Sequence, residues 1–325
     1  MSTNASRINL RGAVAYTVLA YALMWLICLP LWVSGKGLAT PGALAIIVIG
    51  MFSPMLASFL VCRFVDHQPW LARVGLRLNK GLRPIVKFSL LGFAVVTAVV
   101  ALVTGLAGAT GLVHLDLAGL SGLTAAANAV RPPGSTRELP PPMVILAASI
   151  AGTVIASFNV NALAALGEEV GWRGYLIPAL LPLGRVRAIV LVGVIWAGWH
   201  APIILLGYDY HGQARPVAML LLAGFCILFG TLLGWLRMRS DSAIPAAVAH
   251  GTFNGWMRLV PLLVAVGQPV HLGTASPMGL LGYAAFGALA VWLLTRAQWT
   301  QTSVPTSSPA ATTRATGVRT PGIRL

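Results

Sequence analysis

The sequence predicts an all-α protein: a polytopic membrane bundle of about eight transmembrane helices around an intramembrane polar cavity. Three observations carry that prediction. First, 57% of the 325 residues are hydrophobic and only 9% are charged, with a mean hydropathy of +0.83; soluble domains carry about 25% charged residues. Second, apolar runs of the length that crosses a bilayer core recur along the chain. Third, Lys and Arg lie mostly outside those runs and are biased to one side of them.

The predicted spans run over 13–33, 42–62, 85–108, 143–166, 188–206, 216–236, 243–265 and 277–295. Residues 1–12 form a cytoplasmic N-terminus. Arg7 and Arg11 precede the first span as in a signal peptide, but its apolar core is longer than an h-region. Residues 13–142 hold the N-terminal helices and loops, 143–265 a candidate catalytic core, 266–299 the last helix, and 300–325 a Ser-, Thr- and Pro-rich disordered cytoplasmic tail. The segment 109–142, with Pro132-Pro133 and Pro140-Pro141-Pro142, reads as an irregular outer loop. No internal repeat of the kind that builds many transporters is visible.

With the N-terminus inside, sixteen Lys and Arg fall on the cytoplasmic side and four on the outer side: Lys36, Arg131, Arg137 and Arg215. That bias predicts a multi-pass cell-membrane protein with both termini cytoplasmic. The net charge of +15 does not imply nucleic acid, because the basic residues flank apolar runs; the bilayer is the partner. Cys28, Cys62 and Cys226 all lie inside apolar runs without metal spacing and read as small buried hydrophobes.

Only seven residues are acidic, yet Glu168 and Glu169 are adjacent in an apolar stretch. Two carboxylates at a membrane's edge are costly unless they are paired or used. Three short clusters stand out: Glu168-Glu169-Val170-Gly171-Trp172-Arg173, Trp196-Ala197-Gly198-Trp199-His200, and His250-Gly251-Thr252-Phe253-Asn254. In each the key residues are four apart, one turn along a helix face.

Glu169 and Arg173 have the favourable order for a helical ion pair, acid first. Glu168 points about a quarter turn away and stays available to take a proton from water. His200 can share that proton or bind a metal. His250 and Asn254 offer hydrogen bonds to a developing oxyanion. Together these groups describe amide hydrolysis by activated water. Taken singly each has a plainer reading: a Glu–Arg pair can be an anchor, and an intramembrane His or Asn can be interhelical glue. Three clusters in neighbouring spans, each with its own desolvation cost, favour one shared site.

Asn159 and Asn161 read as helix-packing groups. Arg258, four residues beyond Asn254, can snorkel outward or neutralise a substrate carboxylate. Trp196 packs, walling the site beside His200. His67, His114, His211 and His271 fall in loops or near span ends, where a solvated histidine needs no special explanation.

The three clusters, in this order, resemble the motifs of the CPBP intramembrane proteases, the Abi or CAAX-protease-like group: EExxxR, an aromatic-xxx-His, and His-xxx-Asn/Asp. The resemblance covers about residues 143–260, with Trp196 standing where Phe is most usual. It implies a bundle of about eight helices with a cavity open toward the cytosol. It implies an endopeptidase acting on a peptide or membrane-associated protein substrate, prenylated-like or bacteriocin-derived, or serving self-immunity. It also implies that Glu168 and His200 activate water while His250 and Asn254 hold the oxyanion. Both metal-free and zinc mechanisms are compatible with it, the zinc donors being His200, His250 and Glu168. A proton-coupled transporter and a non-catalytic membrane scaffold are the rival readings.

Overall fold

The computed structural model describes residues 8–77, 81–132, 134–268 and 272–299. The expected tail at 300–325 and His271 lie outside the described residues. Among the described residues every named element is helical: α1 (Leu10–Val33), α2 (Ala43–Gly50), α3 (Ser53–Phe64), α4 (Trp70–Arg73), α5 (Leu82–Ala109), α6 (Ser121–Ala129), α7 (Pro142–Ser157), α8 (Val160–Glu169), a π-helical segment (Val170–Leu176), α9 (Ile177–Leu180), α10 (Arg185–Trp199), α11 (Ala201–Ile204), α12 (Arg215–Ser240), α13 (Ile244–Leu259), α14 (Leu272–Ala275) and α15 (Leu280–Thr295). The all-α prediction holds.

Six of the described helical stretches are long and apolar enough to cross a membrane: Leu10–Val33, Ala43–Phe64, Leu82–Ala109, Pro142–Leu183, Arg215–Ser240 and Gly273–Thr295. The outer surface agrees. Val33, Leu220, Val291 and Trp292 are exposed apolar side chains on these helices, as expected where lipid rather than water surrounds the protein. The protein is therefore a multi-pass membrane bundle.

The two remaining predicted spans fold as shorter helices, α10 of 15 residues and α13 of 16. Pro202 lies just beyond the end of α10 and cannot donate to its last turn, so the chain re-forms as the short α11 after a break at His200. Pro261 follows α13 in the same way. Between α7 and α8 the helical path breaks at Asn159, whose side chain accepts a hydrogen bond from the Val160 N–H.

The predicted irregular outer loop contains α6. The Asp116 carboxylate accepts from the backbone N–H groups of Gly119 (2.7 Å) and Ser121 (2.9 Å) as α6 begins. A side-chain hydrogen bond from Ser121, together with these backbone ones, holds its pKa down at about 2. The Asp116 N–H in turn donates to the Leu263 carbonyl at 2.9 Å, fixing this loop to the end of α13. Proline punctuation located the loop but could not show that its middle is helical.

The helix α13 packs against α5, α7, α8 and α12, while α12 packs against α10 and α15. Close approach of α8 to α13 depends on small residues. A Cβ placed on Gly251 would lie 2.6 Å from the Ala162 nitrogen and 2.6 Å from the Asn161 carbonyl carbon, both backbone atoms with little freedom to yield. Gly251→Ala is therefore expected to force α8 and α13 apart and destabilise the bundle by about 1–3 kcal/mol. A thermal midpoint equal to wild type in detergent would refute that packing.

Candidate functional site

The second glutamate of the acidic pair ends α8 and leads into the π-helical segment. Both glutamates are buried, as is all of Val170–Leu176. Glu169 Oε1 accepts from Arg173 Nη1 at 2.9 Å, and both side chains are fully buried. The same oxygen lies 2.9 Å from His250 Nδ1 of α13. A carboxylate only accepts, so Nδ1 carries the proton and Nε2 is left free for other work.

Glu168 turns away from that pair. Its Oε2 accepts the indole N–H of Trp196 at 2.6 Å. The backbone carbonyl of Trp196 lies 2.9 Å from His200 Nδ1. A carbonyl likewise only accepts, so His200 also keeps Nδ1–H and offers Nε2. The Arg173 guanidinium lies 4.0 Å from the centroid of the Trp196 ring. One tryptophan thus contacts the acid, the histidine and the arginine of the motifs.

Glu168, His200, His250 and Asn254 line one cavity of about 170 Å³. Glu169 and Arg173 do not line it; they sit behind its wall. Asn159 and Asn161 do not line it either: Asn161 packs against α13 where a Cβ on Gly255 would meet its Nδ2 at 3.0 Å. The cavity also takes in Tyr208, Asp209 and Arg258, with Phe225, Phe253 and Met257 among its apolar walls.

The cavity runs from the buried Glu168 and His250 to the exposed Leu44 and Arg258. Its mouth therefore lies among the connections 34–42, 205–214 and 260–268. The opposite end of the bundle is closed. There Tyr175 donates to Asp66 Oδ2 at 2.7 Å and Asn9 donates to Asp66 Oδ1 at 2.8 Å. That closed end also carries Arg11, Arg63, Arg73, Arg185 and Arg237. The cavity opens at the arginine-poor end. A cytoplasmic arginine-rich end, expected from the charge bias, and a cavity open to the cytosol, implied by the family resemblance, are thus mutually exclusive.

Asp209 is the group the sequence reading missed. It sits in the connection between α11 and α12 with a left-handed backbone, φ 62°. Burial pushes its carboxyl up from the ordinary 3.8 to about 7. A signal was present: it is one of only seven acids in the chain.

The candidate zinc donors Glu168, His200 and His250 share the cavity wall. Among the described residues, however, no three His, Cys, Asp or Glu side chains come together as a group that could hold a metal ion. As arranged they do not fit a two-His, one-carboxylate centre.

A multi-pass helical bundle with carboxylate, two imidazoles and a carboxamide on one intramembrane cavity defines the class: a membrane protein with a hydrolase-like polar site. Residues 150–256, which contain all three motifs, match the family model described as Type II CAAX prenyl endopeptidase Rce1-like. A curated protein, CAAX prenyl protease 2 of Methanococcus maripaludis, is 28% identical over 114 residues, 34% of this chain and 41% of that protein. The chain thus matches about two-fifths of that relative's length. The CPBP resemblance carried by the three motifs holds over this central segment.

The raised Asp209 pKa has a sign. The folded value lies above the unfolded one, so the folded state binds more protons between about 3.8 and about 7. Stability is fully present below that window, falls as pH rises through it, and levels off above it. Asp209→Asn, which suits the left-handed backbone, removes the loss. Its thermal midpoint is expected to exceed that of wild type by more at about pH 8 than at about pH 5. A gap independent of pH would contradict the assignment.

Proposed function

We propose that the chain is an intramembrane endopeptidase of the CAAX prenyl protease-like type, cutting a peptide bond with water activated by Glu168 and His200. The observation that carries the reading is the convergence of Glu168, His200, His250 and Asn254 on one buried cavity, inside the segment that matches the family. Glu168 takes the proton of the attacking water. The proton that Glu168 takes is then delivered, directly or through His200 Nε2, to the leaving amine as the C–N bond breaks. Asn254 donates from its carboxamide to the oxyanion. His250 joins it through Nε2 when the ring carries both protons, since Nδ1–H is committed to Glu169. Glu169 and Arg173 act as positioning residues for these groups.

A proton carrier would need a second polar opening. Behind Glu168 the bundle is filled by Tyr16, Trp172 and the Glu169–Arg173 pair, all fully buried.

The two glutamates separate the roles. Glu168→Gln should lower turnover of a peptide library in detergent by about 10²-fold to 10⁴-fold while leaving the fold intact. Glu169→Gln breaks a buried pair, which costs about 3–5 kcal/mol, and should first lower the thermal midpoint. If both variants behave alike, the division of labour is wrong; if wild type and Glu168→Gln release the same products at the same rate, the peptidase reading fails.

We further propose that the arginine-rich end is cytoplasmic, on the charge bias, in a cell membrane. The mouth of the cavity then faces the extracytoplasmic side, and the substrate is a peptide or membrane-associated protein segment offered there. A bacteriocin-type peptide, processed or counteracted in self-immunity, meets that requirement; a cytosolic prenylated protein does not. Exposed positions at the two ends test the orientation. In intact cells a membrane-impermeant maleimide should label His211→Cys, while Gln68→Cys should react only after lysis. The reverse pattern would turn the mouth to the cytosol.

A further inference from the structure

We propose that Arg258 is a docking point for the free C-terminal carboxylate of the peptide substrate. The proposal rests on the peptidase reading above and deepens it by naming what the substrate presents.

On α13, His250, Asn254 and Arg258 follow one another at four-residue intervals, and all three line the cavity. At 1.5 Å of rise per residue, Arg258 stands about 6 Å beyond Asn254 and about 12 Å beyond His250 along the helix, toward the mouth. The buried arginines are matched: Arg173 with Glu169 at 2.9 Å and Arg237 with Asp241 at 3.3 Å. Arg258 is exposed, and among the described residues it makes no ion pair and no side-chain hydrogen bond. Asp209 lines the same cavity without reaching ion-pair distance of it.

The chemistry selects the ligand. Among the described residues Arg258 is the sole Lys or Arg in the cavity wall, which combines the apolar Phe253, Met257 and Met278 with the polar Asn254, Tyr208 and Asp209. A guanidinium offers a planar fork of donors that matches a carboxylate in a bidentate pair. One such fork beside apolar walls suits a monoanion at the end of an apolar peptide. Phosphate sites gather several cationic groups around a higher charge. A side chain that merely snorkelled to headgroups would face the lipid; this one forms part of the cavity wall.

The test is binding, so that it does not depend on turnover. The full chain in detergent, carrying Glu168→Gln so that peptide is held rather than cut, is titrated with three dansylated apolar hexapeptides. These are a free acid, its C-terminal amide, and an amide whose last residue is Glu. The free acid is expected to bind about tenfold or more tightly than the amide, the effect of a charge-assisted hydrogen-bonded pair. Adding Arg258→Gln should bring the acid-to-amide ratio close to one, and Arg258→Lys should keep part of it.

Equal binding of acid and amide, or a ratio that survives Arg258→Gln, would overturn the proposal. So would a Glu-ended amide that binds as tightly as the free acid, since the site would then read any carboxylate. A loss of affinity for acid and amide alike would make Arg258 a lipid-side anchor. Cleavage of the same peptides by wild type is scored separately. Absent cleavage with an intact acid preference removes the peptidase reading and leaves the carboxylate site standing.

Discussion

A single oxygen, Oε1 of Glu169, holds the candidate site together. It lies 2.9 Å from both Arg173 Nη1 and His250 Nδ1, so it joins the π-helical segment to α13. A fully buried carboxylate is tolerable only with such partners. Meeting that requirement has consequences for every other group. His250 is locked with Nε2 as its remaining nitrogen. Arg173 is held where its guanidinium covers the Trp196 ring at 4.0 Å. Trp196, so held, directs its N–H at Glu168 and its carbonyl at His200. The orientation of the whole cavity wall is thus coupled to one ion pair that never touches the cavity.

That coupling requires backbones to approach closely, and small residues provide the room. Gly167 and Gly174 flank the acidic segment. A Cβ on Gly167 would lie 2.6 Å from the Met51 carbonyl oxygen, and one on Gly174 would lie 2.6 Å from that of Val74. Within a bilayer, helices gain little from hydrophobic exclusion and associate through such close packing and interhelical hydrogen bonds. The π-helical geometry of Val170–Leu176 belongs to the same picture. Its wider turn lies between two regular helices, an arrangement that recurs at functional sites.

What could be read from the sequence was what helical periodicity encodes. Spacing of four paired Glu169 with Arg173, separated Glu168 from them, and aligned His250, Asn254 and Arg258 on one face. Apolar run length located the helices, six of which are described at full crossing length; run length does not register the break at His200 before Pro202. The contacts of Trp196 were not legible. The sequence reading assigned it to packing, but its indole N–H reaches an acid 28 residues earlier in the chain, and no local pattern encodes that distance. Phe, more usual at this place in the family, has no N–H to donate, so this chain holds Glu168 with a bond that Phe could not make. Asp209 was hidden for another reason: an acid in a short connection reads as solvated until the fold turns it into a cavity.

The charges along the cavity have an order of their own. Glu168 lies at the buried end, and Arg258 lies at the mouth with Asp209 also in the wall. Fields from fixed charges are stronger between low-dielectric walls than in water. An incoming chain end that carries a carboxylate is repelled by the acid at the floor and attracted by the cation at the rim. Its stable position is therefore at the mouth, with neutral peptide units extending toward Glu168 and His200. A chain end driven down to the floor would set two carboxylates against each other where little water separates them. The same order of charge orients the peptide, so the group proposed as the base meets an internal amide instead of a terminal charge.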